Sequence, residues 1–545
     1  MLSEPGSPPL PSSGPTRSER IAAWVFGIYV AVALPLVVLR LGRYFWFLGD
    51  DWDFLTDRQA WSPGDLMRPH AEHLSTLPIL ATRLEWHLFG FHYWRYQLVV
   101  MAFHLTTAVL LRLVMRRSGV GPWVASAAAA SFVLFSPGYE NMLWSFQLAW
   151  VMATTFGLLQ LLAVDRSNPT IDRRDALGLT AGVCALLCAG IGPIFVAVAG
   201  TTALVKRGWR VAAFHTVGPA IAYAMWFLAT RGEQPDAPFR ITPARLVHWF
   251  RAGYGAIFEG LGSNRALGAV FLAFAIVALV GWVSAARAGS WEVLRQRAVV
   301  PVVMVGGGFL FQCLTARGRL AFGYTAAEVP RYVHVGALFM LPLVASGAQT
   351  LVDRWRMALP VVVVLLLAPI PANIAGFDPS GSVFNERYFD RQRTFVEAIA
   401  WSPLAEQVPR DSHPIRDIFG GEGPSVGWLL AAREDDRIPR PGPVSPEVQD
   451  ELTIRLGIRQ QFADETEPVT LRCRVHSSPL DLYPTRGDRL RLVTPVGVRL
   501  IDARSPAFFA SKFEPGAGTE LEIVLDDLQL RVTPLAPETT FELCQ

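Results

Sequence analysis

Residues 21–41 read IAAWVFGIYVAVALPLVVLRL. A run of that length crosses a bilayer hydrocarbon core of about 30 Å. It is too long for the apolar core of a signal peptide and has no good cleavage site after it, so it is read as a permanent span. Similar runs recur as far as Ala375 and then stop. Eleven candidate helices follow: 21–41, 96–115, 122–137, 143–163, 176–190, 193–205, 211–229, 266–286, 298–315, 331–349 and 357–375. The remainder, 376–545, is water-soluble in character. Charged residues make up 17% of the 545, where soluble domains carry about 25%. This deficit agrees with a chain of which a large part lies in lipid. The fold class expected is mainly α: a polytopic helical bundle of about 11 spans with a C-terminal, extracytoplasmic, β-rich domain.

Sidedness follows from the basic residues, which concentrate in short cytoplasmic loops. Arg17 and Arg20, then Arg112, Arg116 and Arg117, then Arg166, Arg173 and Arg174 fall on one side. Lys206, Arg207 and Arg210, then Arg287, Arg295 and Arg297, then Arg354 and Arg356 join them. Arg40 and Arg43 alone run against the pattern. The N-terminus is therefore expected in the cytoplasm, with segments 42–95, 230–265, 316–330 and 376–545 outside. Residues 1–20, rich in Pro, Ser and Gly, are expected to be disordered. The net charge of +3 is too small to call for a nucleic-acid partner.

The tail opens with a polar stretch, 376–411, in which Phe384, Tyr388, Phe395 and Ile399 recur at helical spacing. From Val469 short alternating runs separated by turn residues predict strands, with a small sandwich as the expected form. The tail also holds Cys473 and Cys544, which an oxidising compartment would allow to bridge. Cys184, Cys188 and Cys313 lie in spans and read as small buried residues.

The first outer loop carries the densest chemistry. Phe47-Leu-Gly-Asp-Asp-Trp-Asp-Phe-Leu55 sets Asp50, Asp51 and Asp53 at the lip of the first span. Carboxylates at membrane depth are costly and mark function, although Asp also caps helices. Downstream, His70, Glu72 and His73 precede an aromatic stretch, WHLFGFHYWRY, that also reads as an interfacial helix. A divalent metal there is an alternative, but the spacing matches no known zinc pattern. No cofactor is otherwise called for.

With an Asp-Asp pair outside span one and a large outer loop before span two, the membrane half, 21–375, resembles the GT-C superfamily of membrane glycosyltransferases. FSPGYENMLWSFQ at 135–147 and EVPRYVHVGA at 328–337 look like segments of its actinobacterial members. The resemblance implies transfer of a sugar from a polyprenyl-phosphate donor to an envelope glycan, lipid or protein on the outer face of the cytoplasmic membrane. Arabinofuranose or mannose would be the sugar by analogy. It implies Asp50 or Asp51 as general base, with Asp53 in reserve. Such a site needs a cationic phosphate clamp, for which Arg317, Arg319 and Arg331, with Tyr332, are candidates. Snorkelling to the interface explains such arginines equally well. Glu140, Asn141, Trp144 and Gln147 stand at the outer end of spans three and four as sugar contacts or as ordinary helix packing. His70, Glu72 and His73 would complete the acceptor side. A nucleotide-sugar enzyme would need a Gly-rich phosphate loop after a strand, and none is present. The rival readings are a transporter or flippase of lipid-linked sugars, which would more often show internal repeats, and a non-catalytic envelope assembly protein.

Overall fold

The computed structural model describes residues 16–233, 241–378, 380, 384–415, 423–462, 473–492, 496–501, 509–510, 519–534 and 541–544. The chain divides into two compact units. The first comprises Met1–Arg43, Met67–Pro78 and Trp94–Asp378; the second comprises Tyr44–Leu66, Ile79–Tyr93 and Pro379–Gln545.

The first unit is helical. Eight helices among the described residues are long and apolar enough to cross a membrane: Arg17–Leu41, Tyr93–Arg117, Ser145–Val164, Trp209–Ala229, Arg265–Arg287, Val299–Phe322, Pro330–Arg354 and Arg356–Ala375. The other three expected spans are also helices but shorter: Pro122–Val133, Arg173–Leu186 and Gly192–Arg207. Proline explains two of their starts, since Pro122 and Pro193 sit in first turns where no N–H is missed. The chain leaves the helix after Val133, where Leu134 is non-helical and Ser136–Gly138 forms a 3₁₀ turn. Helix Ser145–Val164 is 83% buried over its apolar window and Pro330–Arg354 78%, against 28% for Arg17–Leu41. The first two are therefore the axis of the unit, and the third presents most of its apolar surface outward.

Residues 1–15 of the expected disordered segment lie outside the described residues. The helix begins at Arg17, earlier than the apolar run. Thr16 and Glu19 form a reciprocal capping box that satisfies its first amide groups.

In the second unit, helix Glu386–Trp401 buries Phe395 and Ile399, as the spacing in the tail predicts, whereas Phe384 precedes the helix, Tyr388 is half-buried and Phe389 takes the buried position beside it. Helices Val426–Glu434 and Pro446–Gly457 precede the strands. The strands are β1 Ile458–Phe462, β2 Cys473–His476, β3 Leu480–Leu482, β4 Arg489–Leu492, β5 Val496–Leu500, β6 Phe509–Ala510, β7 Thr519–Ile523, β8 Leu530–Pro534 and β9 Phe541–Cys544. They form two antiparallel sheets, ordered β1-β7-β4-β9-β2 and β3-β8-β5-β6. Strand structure starts at Ile458, before the expected Val469. The sequence IRQQF hides it, because its alternation places polar residues at three of five positions. Register sets Cys473 directly opposite Cys544; their side chains lie outside the described residues.

Candidate functional site

Helix Ser145–Val164 begins beside the end of helix Val299–Arg319 and the start of helix Pro330–Arg354, and a cluster of charges and rings collects there. Arg319 pairs with Glu72 at 3.3 Å and donates from Nε to the Tyr332 hydroxyl at 3.2 Å. Arg331 lies over the Tyr332 ring, 5.1 Å from its centroid, and pairs with Glu140 at 2.7 Å. Tyr332 packs on Trp150 and Phe311. Six residues singled out in the sequence, Glu72, Glu140, Asn141, Arg319, Arg331 and Tyr332, are thus joined in one network. Arg317 is exposed and stands two residues from Arg319, on another face of the helix. Among the described residues its side chain makes no ion pair or hydrogen bond.

The loop before this cluster is drawn in by backbone pairing. His70 and His73 exchange two backbone hydrogen bonds at 2.9 Å. The His70 ring meets Phe146 at 5.1 Å, and that of His73 meets Trp150 edge-on at 6.2 Å. Gly190 makes room for it: a Cβ there would stand 2.5 Å from His73 Nδ1. That nitrogen is buried with no hydrogen-bond partner among the described residues. Burial pushes the His73 pKa down, outweighing the attraction of Glu72, so its ring is neutral at neutral pH.

Asn141, Trp144 and Gln147 do not share one continuous helix. Glu140–Leu143 is a single turn, Trp144 is extended, and Ser145–Gln147 is a 3₁₀ turn. The break turns Asn141 inward, where its amide donates to the Arg331 carbonyl at 3.2 Å and to His334 Nδ1 at 3.1 Å. The chain continues from His334 Nε2 to His104 Nδ1 at 3.0 Å, and from His104 Nε2 to the Val133 carbonyl at 3.1 Å. A carbonyl only accepts, so each ring has one consistent tautomer: Asn141 donates to His334, His334 to His104 and His104 to Val133. Nearby, Asn141 Oδ1 and Gln147 Oε1 are buried with no donor among the described residues. His104 and His334 were missed in the sequence. The signal was there, since each is an ionisable residue well inside an apolar run.

Also in the first unit, a cavity of about 1020 Å³ opens along helix Pro243–Gly262. Phe258, Leu272 and Val333 give it apolar walls, and Arg251, His248 and Tyr324 a polar rim. Val333 lies two residues from Arg331.

The acidic triplet belongs to the second unit. Gly49, at φ +49°, turns the chain so that Asp50 and Asp51 occupy the first turn of helix Asp50–Trp52. The partial positive charge of a helix start favours carboxylates there. Asp51 is 2% exposed and accepts from the Leu48 amide at 2.8 Å; Asp50 and Asp53 are half-buried. An aromatic cluster packs on its neighbour Trp52: Trp46 meets Trp52 at 5.7 Å, Trp52 meets Trp428 at 6.1 Å, and Trp86 meets Trp428 at 4.8 Å. Trp86 and Phe91, part of the stretch that also reads as an interfacial helix, therefore pack within the protein.

Glu85 shares this nest and was also missed. It is 6% exposed, and its Oε1 has no hydrogen-bond partner among the described residues. Burial, reinforced by the negative charge of Asp51, holds its pKa well above the usual carboxylate range. The spacing of buried Pro78, Thr82 and Glu85 on helix Thr76–Phe89 would have exposed it.

No family profile and no curated protein matches the sequence. Among solved structures, the crystal structure of ArnT from Cupriavidus metallidurans bound to undecaprenyl phosphate is similar. The TM-score is 0.41 at 14% identity, over 81% of this chain and 92% of that one. A likeness of that extent carries no weight for the activity of this chain.

Proposed function

We propose that the chain is a multi-pass glycosyltransferase of the cytoplasmic membrane, GT-C-like, with residues 376–545 outside. It moves a sugar from a polyprenyl-phosphate donor to an envelope glycan, lipid or protein. The observation that carries the reading is the pair Arg319 and Arg331, gathered on Tyr332 at the ends of two apolar helices and held by Glu72 and Glu140. Two guanidinium groups at the end of membrane helices suit a lipid phosphate at headgroup level. The cavity along helix Pro243–Gly262 supports this reading, because its apolar walls and polar rim suit an amphiphile.

In the reaction, the acceptor oxygen attacks the anomeric carbon and its proton passes to a carboxylate of Asp50 or Asp51. The bond from the anomeric carbon to phosphate breaks, and the electron pair leaves with polyprenyl phosphate. That leaving group is a phosphate monoester with a second pKa of about 6, so it needs no strong acid at neutral pH. The reading favours Asp51 as base because it is fixed by the Leu48 amide, and a base must stand within about 2.6–3.2 Å of its proton's oxygen. The side-chain carbonyls of Asn141 and Gln147, which have no donor among the described residues, would suit sugar hydroxyls.

The test is transfer from a synthetic polyprenyl-phosphate sugar by purified protein. Asp51→Asn should retain donor binding and lose turnover by about 10²–10⁴-fold. A variant that turns over at the unmodified rate would remove the base, and a protein that consumes no lipid-linked sugar would remove the reading.

A further inference from the structure

The four-stranded sheet has an inner and an outer face. Leu482, Val498, Leu530 and Val532 point inward and are at most 8% exposed. Their neighbours in sequence line up on the outer face: Asp481 on β3 stands opposite Arg531 on β8, and Arg531 opposite Arg499 on β5. Two arginines directly across from each other destabilise a sheet unless something offsets them. Asp481 forms an ion pair with only one, although its charge also attracts Arg499. It takes Arg531 in a two-pronged pair, Nε to Oδ1 at 2.5 Å and Nη2 to Oδ2 at 2.6 Å. Arg499 keeps its Nε buried with no acceptor among the described residues. A buried charged donor without a partner is a cost that function can explain.

A pocket of about 400 Å³ lies over this row, lined by Pro479, Asp481, Arg499, Arg531 and Thr533. The charge count selects its occupant. Among the described residues that line it, two cations and one anion leave a net charge of one. A carboxylate balances it, whereas a phosphate monoester at about −1.5 to −2 would over-fill it against Asp481. Thr533 and Pro479 add a hydroxyl and an apolar edge, which suit a sugar ring better than a bare anion. We propose that the outer face of β3, β8 and β5 is a binding site for an acidic glycan, in which a uronic-acid carboxylate pairs with Arg499 beside the Asp481–Arg531 pair. The site is separate from the sugar-transfer chemistry and rests on that reading only for the outward placement of the tail, which would expose it to envelope polymers.

Titration of the full-length protein in detergent tests this, with trigalacturonate as probe, maltotriose as its neutral counterpart and inorganic phosphate as the bare anion. Trigalacturonate should bind at least about tenfold more tightly than maltotriose or phosphate, and Arg499→Gln should weaken it about tenfold or more. Arg499→Lys should restore part of the loss, since it keeps the charge without the fork. Equal binding of the two trisaccharides, phosphate binding as tight as trigalacturonate, or full affinity in Arg499→Gln would each overturn the proposal. If Arg499→Gln does not fold, the ranking of the three probes on the unmodified protein still decides. No donor lipid is present, so a failure here is distinct from a failure of the transferase reading.

Discussion

Helix Ser145–Val164 has an ionic cluster at each end, and the two are built to different rules. At its C-terminal end Arg207 pairs with Asp175 at 2.5 Å, both side chains being fully buried. Arg166 and His215 reach the same carboxylate at 3.0 and 3.1 Å, and Lys206 pairs with Asp165 at 2.5 Å. Arg207 also donates to the carbonyls of Asn168 and Thr170. At the N-terminal end Arg319 and Glu72 remain 28% and 34% exposed, whereas buried polar atoms without a partner among the described residues occur at both ends, His73 Nδ1 at this one and His215 Nδ1 at the other. The same residue types therefore serve two purposes. A closed cluster, with its carboxylate surrounded, ties helices together. A cluster whose charges stay partly exposed is the one that the proposed donor site requires.

This contrast breaks if the two ends respond alike to truncation. Arg207→Ala would leave Asp175 buried without its principal cation, an arrangement that costs about 3–5 kcal/mol. The expected outcome is a large fall in thermal stability in detergent, with donor binding lost only as folding is lost. An unchanged melting temperature would show that the closed end is not structural.

The next effect concerns which end faces outward. A tail on the oxidising side permits a bridge between Cys473 and Cys544, which register sets opposite each other. Directly opposed residues of antiparallel strands have Cα atoms about 4.5–5.5 Å apart, inside the range disulfides span. Removing the bridge by Cys473→Ser should destabilise the strand region by about 2–4 kcal/mol. Mass spectrometry under non-reducing conditions should find the two peptides joined; free thiols at both positions would remove the bridge.

At the open end, Arg331→Ala should weaken binding of the polyprenyl-phosphate sugar by about 10–100-fold, the range for losing charge-assisted hydrogen bonds. Melting temperature should change less than in Arg207→Ala. Unchanged affinity, measured by direct donor titration, would assign Arg331 to structure, alongside Arg207.

How much of this was legible follows from what each feature depends on. Apolar runs announce helices, so every one of the eleven expected stretches contains one, and eight of these are long and apolar enough to cross a membrane. Their lengths were less legible: the chain leaves the helix already at Leu134, before Ser136-Pro137-Gly138, and is extended again at Trp144. Arg319, Arg331, Glu72 and Glu140 were singled out because charge beside apolar sequence is conspicuous. Their pairing was not, being made across up to 247 residues between Glu72 and Arg319. His104 and His334 escaped notice because a single histidine in a span looks bland until its partner's position is known. The closed cluster was read only as an excess of cytoplasmic positive charge. Nothing in the local sequence shows that Arg207 and Lys206 turn inward to meet Asp175 and Asp165.

The smallest expected effect sharpens the contrast in the second unit. Asp51 and Glu85 form a carboxyl pair in an aromatic nest, the reverse of the closed cluster's cation-surrounded Asp175. Burial first, and Asp51 second, raise the Glu85 pKa well above its ordinary value. A carboxyl whose folded-state pKa exceeds its unfolded-state value favours the fold while it is protonated. That contribution is complete below the unfolded pKa of about 4.3 and falls as pH rises through the folded-state value. Glu85→Gln keeps the neutral shape and removes the titration. The variant should therefore match the unmodified protein near pH 4 and be more stable above it, by on the order of 2–4 °C in melting temperature for each kcal/mol recovered. If Asp51 is the base, the same substitution should leave donor affinity unchanged and alter only the pH profile of turnover, because Asp51 would lose a neighbour that ionises at high pH. A melting temperature that falls equally at every pH would show that Glu85 is held by a partner in its ionised form, and the nest would then belong with the closed cluster.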